Sequence, residues 1–476
     1  MSNHPLRASG SGFSLQPTVA WIAILGFSLL TVVGMVAGMG NLLRLFFPIG
    51  AFAVGILLYF RYPILYVGFT WWLWFLTPLV RRLVDYRSGW VNPNLILLAP
   101  YLVAFVSIIT LWKYLPRAHR IGALPFVLVF IGILYGFLIG LVNSSAPIAI
   151  RSLLDWLIPV LFGFHLFMNW REYPAYRQNM QVVFLWGVLI MGIYGVFQYV
   201  AAPEWDRFWL IESEMYTSSG DPEPFGMRVW STMHAIGPFS CAMMTGLILL
   251  FSSRSPLLVP AVGVGYLSFL LTLGRTMWGC WLAALLLLFG SLKSAFQIRL
   301  IFTLLLLSVL VIPLVSVEPF AGAIGNRLST FSTLESDNSA NARAGIYADH
   351  LNKALTSFVG NGIGNTFILD KDGQLVELVV DSGILDSLFT LGWIGTIPYF
   401  GGVLLLLTNM LQSAEARRDP FMSATRSVSL SLMLSLVISS TMLEVSGMFF
   451  WGFIGITMAA RNYHLQSSSQ DEHQYS

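Results

Sequence analysis

Long apolar runs separated by short polar connections occupy most of this chain of 476 residues. Most of the runs are long enough to cross the roughly 30 Å hydrocarbon core of a bilayer as helices. The pattern therefore predicts an all-α polytopic membrane protein with 12–14 transmembrane helices, because a helix satisfies its own backbone polar groups in lipid. The predicted spans lie near residues 20–40, 44–60, 62–80, 94–112, 121–142, 150–168, 181–201, 234–251, 256–273, 276–291, 298–316, 385–410, 425–443 and 447–460.

Two long polar stretches interrupt this pattern, at residues 202–233 and 316–385. Long ordered loops usually carry function, so we expect the chemistry in the second loop and on the helix ends that face it. The chain is accordingly divided into a polar tail (1–18), transmembrane helices with the first loop (19–315), a catalytic loop (316–385), further transmembrane helices (386–461) and a disordered tail (462–476).

The first polar stretch combines aromatic residues, such as Trp209 and Trp230, with several acids and with Arg228. One interpretation is an aromatic belt at the membrane interface next to a solvated turn. The other is a surface that contacts carbohydrate, with aromatic faces against sugar C–H groups and carboxylates on hydroxyls. Arg228 lies just before a membrane entry and is the candidate substrate contact of this loop.

The second polar stretch predicts an amphipathic helix over 335–358, with capping residues near its start and a loose apolar stripe at helical spacing. Gly360, Gly362 and Gly364 follow. They either end the helix as a simple turn or expose backbone amides to a phosphate group. Residues 366–380 then predict a β-hairpin with Asp372-Gly373 at its turn.

The distribution of charge predicts the orientation of the helices. Only 10% of the residues are charged and 56% are hydrophobic. With the N-terminus inside, the inner segments hold 14 of the 26 basic residues and five of the 23 acidic residues, as the positive-inside tendency requires. Both long loops then face outward. Arg81, Arg82 and Arg87 oppose this tendency, and we interpret Arg81 and Arg82 as anchors to lipid headgroups.

Other classes of function receive little support from the sequence. The net charge of +3 is too small to favour nucleic acid, and Cys241 and Cys280 both lie in apolar runs. Phosphate-loop, dinucleotide-binding and zinc motifs are absent from the sequence. The Asp370-x-Asp372 pair is a candidate for metal binding, but it sits in a turn without an evident third ligand. We therefore expect neither a metal nor another cofactor.

Several charged residues lie within or beside apolar runs, where charge is costly and often functional. Arg275 separates two such runs and is either a headgroup anchor or a phosphate-binding group. Arg151 and Asp155 have the i, i+4 spacing of an ion pair within one helix. Glu444 lies near a helix end on the same predicted side, where it could pair with one of these arginines.

Three segments together resemble the bacterial superfamily of O-antigen ligases and polysaccharide polymerases. GRTMW (274–278) is similar to its arginine-containing junction, and NARAGIYADHLNKALTSFVGNGIGN (341–365) is similar to its second arginine segment. DSGILDSLFTLGWIG (381–395) keeps the spacing of its third segment. Where the ligases carry histidine, this chain has Asp381, which favours the polymerases.

The resemblance implies an activity at the outer face of the bacterial inner membrane. Members of this superfamily take a glycan from undecaprenyl diphosphate and need neither a nucleotide nor a metal. A second lipid-linked repeat unit would be the acceptor, and its hydroxyl would attack the anomeric carbon with inversion. The implied partners are the undecaprenyl-diphosphate-linked oligosaccharide and the lipid bilayer. A chain-length regulator is a further partner that stays open, and no nucleic acid is expected.

Roles for single residues follow from this implied chemistry. The transition state requires neutralisation of the departing diphosphate, and we assign that role to Arg275 and Arg343. Asp381 is the candidate base because it fills the histidine position of the family, although an acid at a helix start is also favoured by the dipole alone. Asp349 and His350 are weaker candidates for the base, since a solvated helix face explains both. We expect Arg151, Arg228, His350 and the glycine turn to contact substrate.

Two other functions stay open. A ligase would attach a finished glycan to a different acceptor molecule. A secondary transporter would belong to another class, and it should show interrupted helices and polar residues near the middle of the bilayer. The sequence contains no convincing internal repeat.

Overall fold

The computed structural model describes residues 17–292, 355–365, 367–369, 375–377, 382–413 and 419–475, together with scattered positions between 294 and 351 and residue 416. Most of the described residues are helical, so the predicted all-α architecture is confirmed. The α-helices are α1 (Thr18–Val36), α2 (Gly40–Arg61), α3 (Pro63–Ser88), α4 (Leu98–Phe105), α5 (Ile108–Tyr114), α6 (Leu124–Asn143), α7 (Ala146–Met168), α8 (Tyr173–Ala201), α9 (Glu204–Glu212), α10 (Tyr216–Ser219), α11 (Ile236–Leu250), α12 (Leu258–Leu270), α13 (Arg275–Ser291), α14 (Gly383–Leu411), α15 (Pro420–Ser435) and α16 (Glu444–Tyr475).

Eight helical segments in the described part of the chain are long and apolar enough to cross a membrane. They are α1, α2, α3, the segment Leu95–Ala118 that contains α4 and α5, α6, α7, Trp170–Ala201 and α14. Three shorter apolar helices, α11, α12 and α13, occupy three further predicted spans. The predicted span at 298–316 lies mostly outside the described residues.

Helix α3 is longer than its predicted span of 62–80, since it continues to Ser88. Its last turns carry Arg81, Arg82 and Asp85, which are all buried. Apolarity alone predicted an end near residue 80. The helix continues because acidic partners inside the protein neutralise these arginines, so the charges need not reach water.

Two helix pairs form the centre of the bundle. Helix α16 packs along α7, where a Cβ atom added to Gly455 would lie within 3.0 Å of the backbone of Gly163. Trp71 of α3 lies at the centre of a ring cluster that includes Phe162 of α7 and Phe449 of α16. The absence of side chains at both glycines thus lets two backbones approach closely, while aromatic rings fill the surrounding core.

The other central pair is α6 and α14, and α14 is interrupted at Gly392, whose φ of 60° and ψ of −176° are not helical. The break releases the amides of Trp393 and Ile394 and the carbonyls of Phe389 and Thr390. All four groups are satisfied by residues 357–362, which insert beside the break. The Ser357 and Phe358 carbonyls accept from the two amides, and the Asn361 and Gly362 amides donate to the two carbonyls.

The second polar loop is described only in part. Two three-residue strands, β1 (Phe367–Leu369) and β2 (Leu375–Glu377), pair antiparallel with Ile368 opposite Val376, which confirms the predicted hairpin. Residues 370–374, including the predicted turn, lie outside the described residues. The predicted helix over 335–358 lies largely outside them as well, and so do Arg343, His350 and Asp381.

The first polar loop folds into the protein. It contains α9 and α10, and both Trp209 and Trp230 are buried. Neither residue is therefore available as part of a membrane belt or of a carbohydrate-contacting surface. The buried rings instead pack with Trp90 and Ile236 into a small apolar cluster that closes the end of the bundle.

Candidate functional site

One end of the bundle collects most of the residues singled out by the sequence. We call it the upper face and define it as the end where α6 ends at Asn143 and α7 begins at Ala146. Contacts join the last turns of α3 to the loop after α8, and join that loop to the start of α13. The opposite end is the lower face. The charge-derived orientation would place the upper face outside, which stays a prediction.

Arg275 is the first residue of α13 at the upper face. It follows a tight connection in which Leu273 has a positive φ of 51°. The first amides of a helix lack intrahelical partners, and the helix dipole makes this end favourable for anions. The Arg275 side chain is half-buried. The position combines a permanent cation with a helix start, as the phosphate-binding hypothesis requires.

Arg228 holds this connection in place. Its Nε donates to the carbonyl of Thr272 at 3.1 Å and its Nη2 to that of Leu273 at 3.2 Å. Its Nη1 donates to the Ser218 carbonyl at 2.8 Å, so one guanidinium joins α10 to the connection before Arg275. The sequence predicted a substrate contact at Arg228. The geometry gives Arg228 a role in positioning this connection, and its contact with substrate stays a prediction.

Arg151 and Asp155 form the ion pair that their spacing predicts, with Arg151 Nη1 at 2.6 Å from Asp155 Oδ2. Tyr101 of α4 donates to the other carboxylate oxygen at 2.6 Å. The Arg151 guanidinium also lies 5.2 Å from the centre of the Tyr101 ring. Both oxygens of Asp155 are thus occupied, whereas 52% of the Arg151 side chain remains exposed.

Glu444 is the first residue of α16 and has a positive φ of 53°, which is uncommon for a residue with a side chain. It interacts electrostatically with Arg151, Asp155 and Tyr101. Among the described residues, however, it makes no ion pair within 4.0 Å. The sequence suggested a pair with an arginine; Arg151 is the nearby arginine, but the two are not in direct contact.

The interpretation of Arg81 and Arg82 as headgroup anchors is wrong. Arg82 is fully buried and its Nη1 lies 2.5 Å from Oδ1 of Asp206 in α9. Gln198 and Tyr194 donate to the other oxygen of Asp206. Burial raises the pKa of Asp206, against the opposing effect of Arg82 and of these hydrogen bonds. Sequence reasoning missed this pair because its two partners lie in separate elements.

Arg81 is also buried. Its Nε donates to Asp85 at 3.1 Å, and Asp85 accepts further hydrogen bonds from Arg44 and Asn94. The guanidinium of Arg81 stacks on the rings of Trp90 and Trp209. The i, i+4 spacing of Arg81 and Asp85 was a readable signal for this contact. These partners explain how two arginines that oppose the positive-inside tendency can lie at this end of α3.

His234 was also missed by the sequence analysis. It lies between the two clusters, close enough to Arg81, Arg82 and Asp155 to interact with all three electrostatically. Part of its surface is accessible. Burial, followed by the charges of Arg81 and Arg82, lowers its pKa to about 4, so the imidazole is neutral near pH 7. An isolated histidine before an apolar run gave no periodic or motif signal.

The glycine turn allows the chain to pack closely against α6 and α14. Gly360, Gly362 and Gly364 have φ values of 79°, 88° and 91°. A Cβ on Gly360 would lie within 3.0 Å of Gly392, and one on Gly362 within 3.0 Å of Gly140. The backbone therefore passes between α6 and α14 at a distance that excludes side chains.

The backbone amides of this turn are engaged by the protein. Those of Asn361, Gly362 and Ile363 donate to carbonyls of α14 and α6 at 2.9–3.0 Å, and that of Gly360 is directed at the Ser357 hydroxyl. In this conformation these amides cannot also cradle a phosphate. Of the two interpretations left open by the sequence, the turn is the one that the geometry supports. Gly364 packs against Ala149 and so brings the end of the long loop close to Arg151.

These features define a multi-pass α-helical membrane protein with a concentration of charged residues at one end of its helices. A scan of the chain against protein-family models finds no match, and a search of the curated proteins finds none either. Within the described part of the chain, no three His, Cys, Asp or Glu side chains are grouped closely enough to hold a metal ion. The Asp370-x-Asp372 pair lies outside that part.

Proposed function

We propose that this chain is a membrane glycosyltransferase that polymerises repeat units of a polysaccharide. Its donor is a glycan on undecaprenyl diphosphate, its acceptor is a second lipid-linked unit, and its upper face lies at the outer side of a bacterial inner membrane. The supporting observation is the α12–α13 connection. There Arg275 begins a helix at the upper face, and Arg228 fixes the preceding carbonyls.

The reaction is a displacement at the anomeric carbon of the donor. The acceptor hydroxyl oxygen forms the new bond to this carbon as the bond to the diphosphate oxygen breaks, and the diphosphate leaves with the electron pair. The acceptor proton passes to a base, for which Asp381 is the sequence-derived candidate. Because diphosphate is a weak base, it needs charge neutralisation more than protonation. Arg275 and Arg343 supply this neutralisation in the proposal.

A bidentate guanidinium is well suited to a diphosphate oxygen pair. Arg228 then contributes by positioning the connection before Arg275. It holds the carbonyls of Thr272 and Leu273, which lie directly before the first turn of α13. Positioning of this kind contributes to catalysis because small displacements of a charge from the reacting group reduce its effect strongly.

The test uses the purified protein in liposomes. Lipid-linked oligosaccharide is extracted from cells that lack this chain, in which its substrate should accumulate, and is added to the liposomes. Polymerase activity converts it into a ladder of longer lipid-linked products. If single repeat units persist at all protein concentrations, the polymerase proposal fails. Transfer only to an added lipid acceptor of another kind, without a ladder, would indicate the ligase instead.

One observation favours a second candidate, a secondary transporter. Interrupted helices are common at the binding sites of such proteins, and α14 is interrupted at Gly392. The groups released by this break are, however, satisfied by residues 357–362 and so do not bind a solute in this conformation. Uptake of a labelled sugar or ion into liposomes that contain only this protein would support the transporter.

A further inference from the structure

Glu444 and Arg151 lie at the same level of the bundle. Helices α7 and α16 both begin at the upper face and run side by side, with Pro159 near Gly447 and Gly163 against Trp451. In both contacts, the residue numbers of the two partners differ by the same amount. One turn closer to the upper face, the same pairing brings Glu444 beside Trp156. Trp156 is next to Asp155 in the chain and about one turn from Arg151.

This cluster is only partly satisfied. Asp155 accepts from Tyr101 and Arg151 and has both oxygens occupied. Arg151 donates to Asp155 through Nη1, and its other N–H groups have no acceptor among the described residues. The carboxylate of Glu444 has no hydrogen bond or ion pair in the described part of the chain. N–H groups of Arg151 and the carboxylate of Glu444, which have no partners among the described residues, thus lie close together.

The balance of charge decides what this pair can bind. The single cation Arg151 lies near two carboxyl groups, those of Asp155 and Glu444, and His234 is neutral near pH 7. A cluster whose one cation is matched by two carboxyl groups does not attract a diphosphate. It suits instead a neutral ligand with adjacent donors and acceptors, such as the hydroxyl groups of a sugar. The α12–α13 connection, which carries Arg275, is the better position for the diphosphate.

We propose that Arg151 and Glu444 form the binding site for the acceptor glycan. The Glu444 carboxylate accepts a hydrogen bond from one sugar hydroxyl, and Arg151 donates to the oxygen of its neighbour. This inference rests on the proposed polymerase function and adds the site of the second substrate. It also explains why a glutamate occupies a strained backbone position with φ of 53°, where glycine would be more stable.

The test supplies the donor and the acceptor as different molecules, so that the KM for the acceptor can be measured by itself. The lipid-linked oligosaccharide serves as donor, and the same oligosaccharide, released from its carrier and attached to a decyl group, serves as an acceptor that cannot donate. We expect Glu444→Gln to raise the KM for the decyl glycoside by about 10- to 100-fold. The kcat at saturating acceptor should change by less than about threefold, because the leaving group is held elsewhere.

Glu444→Gly keeps the proposal testable if the glutamine variant folds poorly. Glycine accepts a positive φ without strain, so this variant should unfold at an equal or higher temperature while the KM for the acceptor still rises. Glu214 provides a matched control, because it is another exposed glutamate of the polar region at the upper face with a positive φ of 55°. Glu214→Gly should gain the same stability without any change in KM.

The outcomes separate this inference from the proposed function. If the wild-type protein forms no polymer, the proposed function fails. If it forms polymer and both Glu444 variants keep the wild-type KM for the decyl glycoside, the acceptor site is overturned while the function stands. An equal rise in KM for Glu214→Gly would also overturn it, since the effect would then reflect a general loss of surface charge.

Discussion

Two charged clusters at the upper face differ in how deeply they are buried and in whether each of their carboxylates has a partner. In the first, Arg82 and Asp206 are fully buried, and both oxygens of Asp206 accept hydrogen bonds. In the second, Asp155 is equally well satisfied, but Arg151 is half-exposed and Glu444 has no partner among the described residues. The first cluster joins α3 to the loop after α8. The second leaves groups open to a ligand.

This difference distinguishes charged residues that stabilise the fold of a membrane protein from charged residues that are open to a ligand. Both clusters contain arginine and aspartate near helix ends, so composition does not distinguish them. A fully buried pair whose carboxylate oxygens are both engaged is out of reach of a substrate, and its loss should harm folding. A partly open cluster contributes little to stability, so its loss should harm function first.

Breaking the closed cluster should have the largest effect on stability. We expect Arg82→Met to lower the free energy of unfolding by about 3–5 kcal/mol, because it leaves the Asp206 carboxylate buried without a cation. Thermal unfolding in detergent measures the loss. The double variant Arg82→Met with Asp206→Leu should recover part of it, since no charge is then left buried. Similar stability of the single variant and the wild-type protein would remove the distinction between the clusters.

A buried carboxylate at the lower face extends the comparison. Asp419 caps the start of α15 and accepts from Tyr173 at 2.6 Å. Burial raises its pKa, but hydrogen bonds from His464 and Tyr173 and the charge of Arg177 outweigh this effect and lower the pKa to about 2. A carboxyl group with a pKa below its unfolded value of 3.8 stabilises the fold at higher pH and loses this effect as the pH falls towards 2.

We therefore expect Asp419→Asn to lose about 2 kcal/mol of stability near pH 6. The difference between this variant and the wild-type protein should shrink when both are measured near pH 2.5, where Asp419 of the wild type begins to protonate. Unfolding temperatures at the two pH values provide the measurement. A difference that is independent of pH would show that the charge of Asp419 is not what stabilises α15.

Breaking the open cluster should have the smallest effect on stability. Asp155→Asn keeps the shape of the side chain and removes the charge that pairs with Arg151. We expect a loss of less than about 1 kcal/mol, because half of the Arg151 side chain already faces solvent. The same unfolding assay checks this value. A loss as large as that of Arg82→Met would mean that this cluster is structural too.

The part of the fold made by local patterns could be predicted from the sequence. Apolar runs of about 20 residues identified most of the helices, and a four-residue spacing identified the pair of Arg151 and Asp155. The hairpin around Asp372-Gly373 followed from turn preference, and its strands are present. In each case neighbouring residues determine the outcome, so a short window of sequence contains the necessary information.

The part made by distant contacts could not be predicted. Asp206 lies 124 residues from Arg82, and nothing in either segment indicates the other. The insertion of residues 357–362 beside the break in α14 likewise depends on two segments that meet only in the folded chain. The glycines were recognised as unusual, but their role in packing rather than in phosphate binding became visible only from the groups that their amides contact.

Polymer formation by variants of Arg275 tests the central claim most directly. Arg275→Gln is compared with Arg254→Gln, which removes an exposed arginine from the connection at the opposite end of α12. The proposed role of Arg275 at the diphosphate predicts that Arg275→Gln lowers the rate of ladder formation by about 100-fold or more, while Arg254→Gln keeps the wild-type rate. Equal rates for the two variants at equal amounts of folded protein would contradict that role.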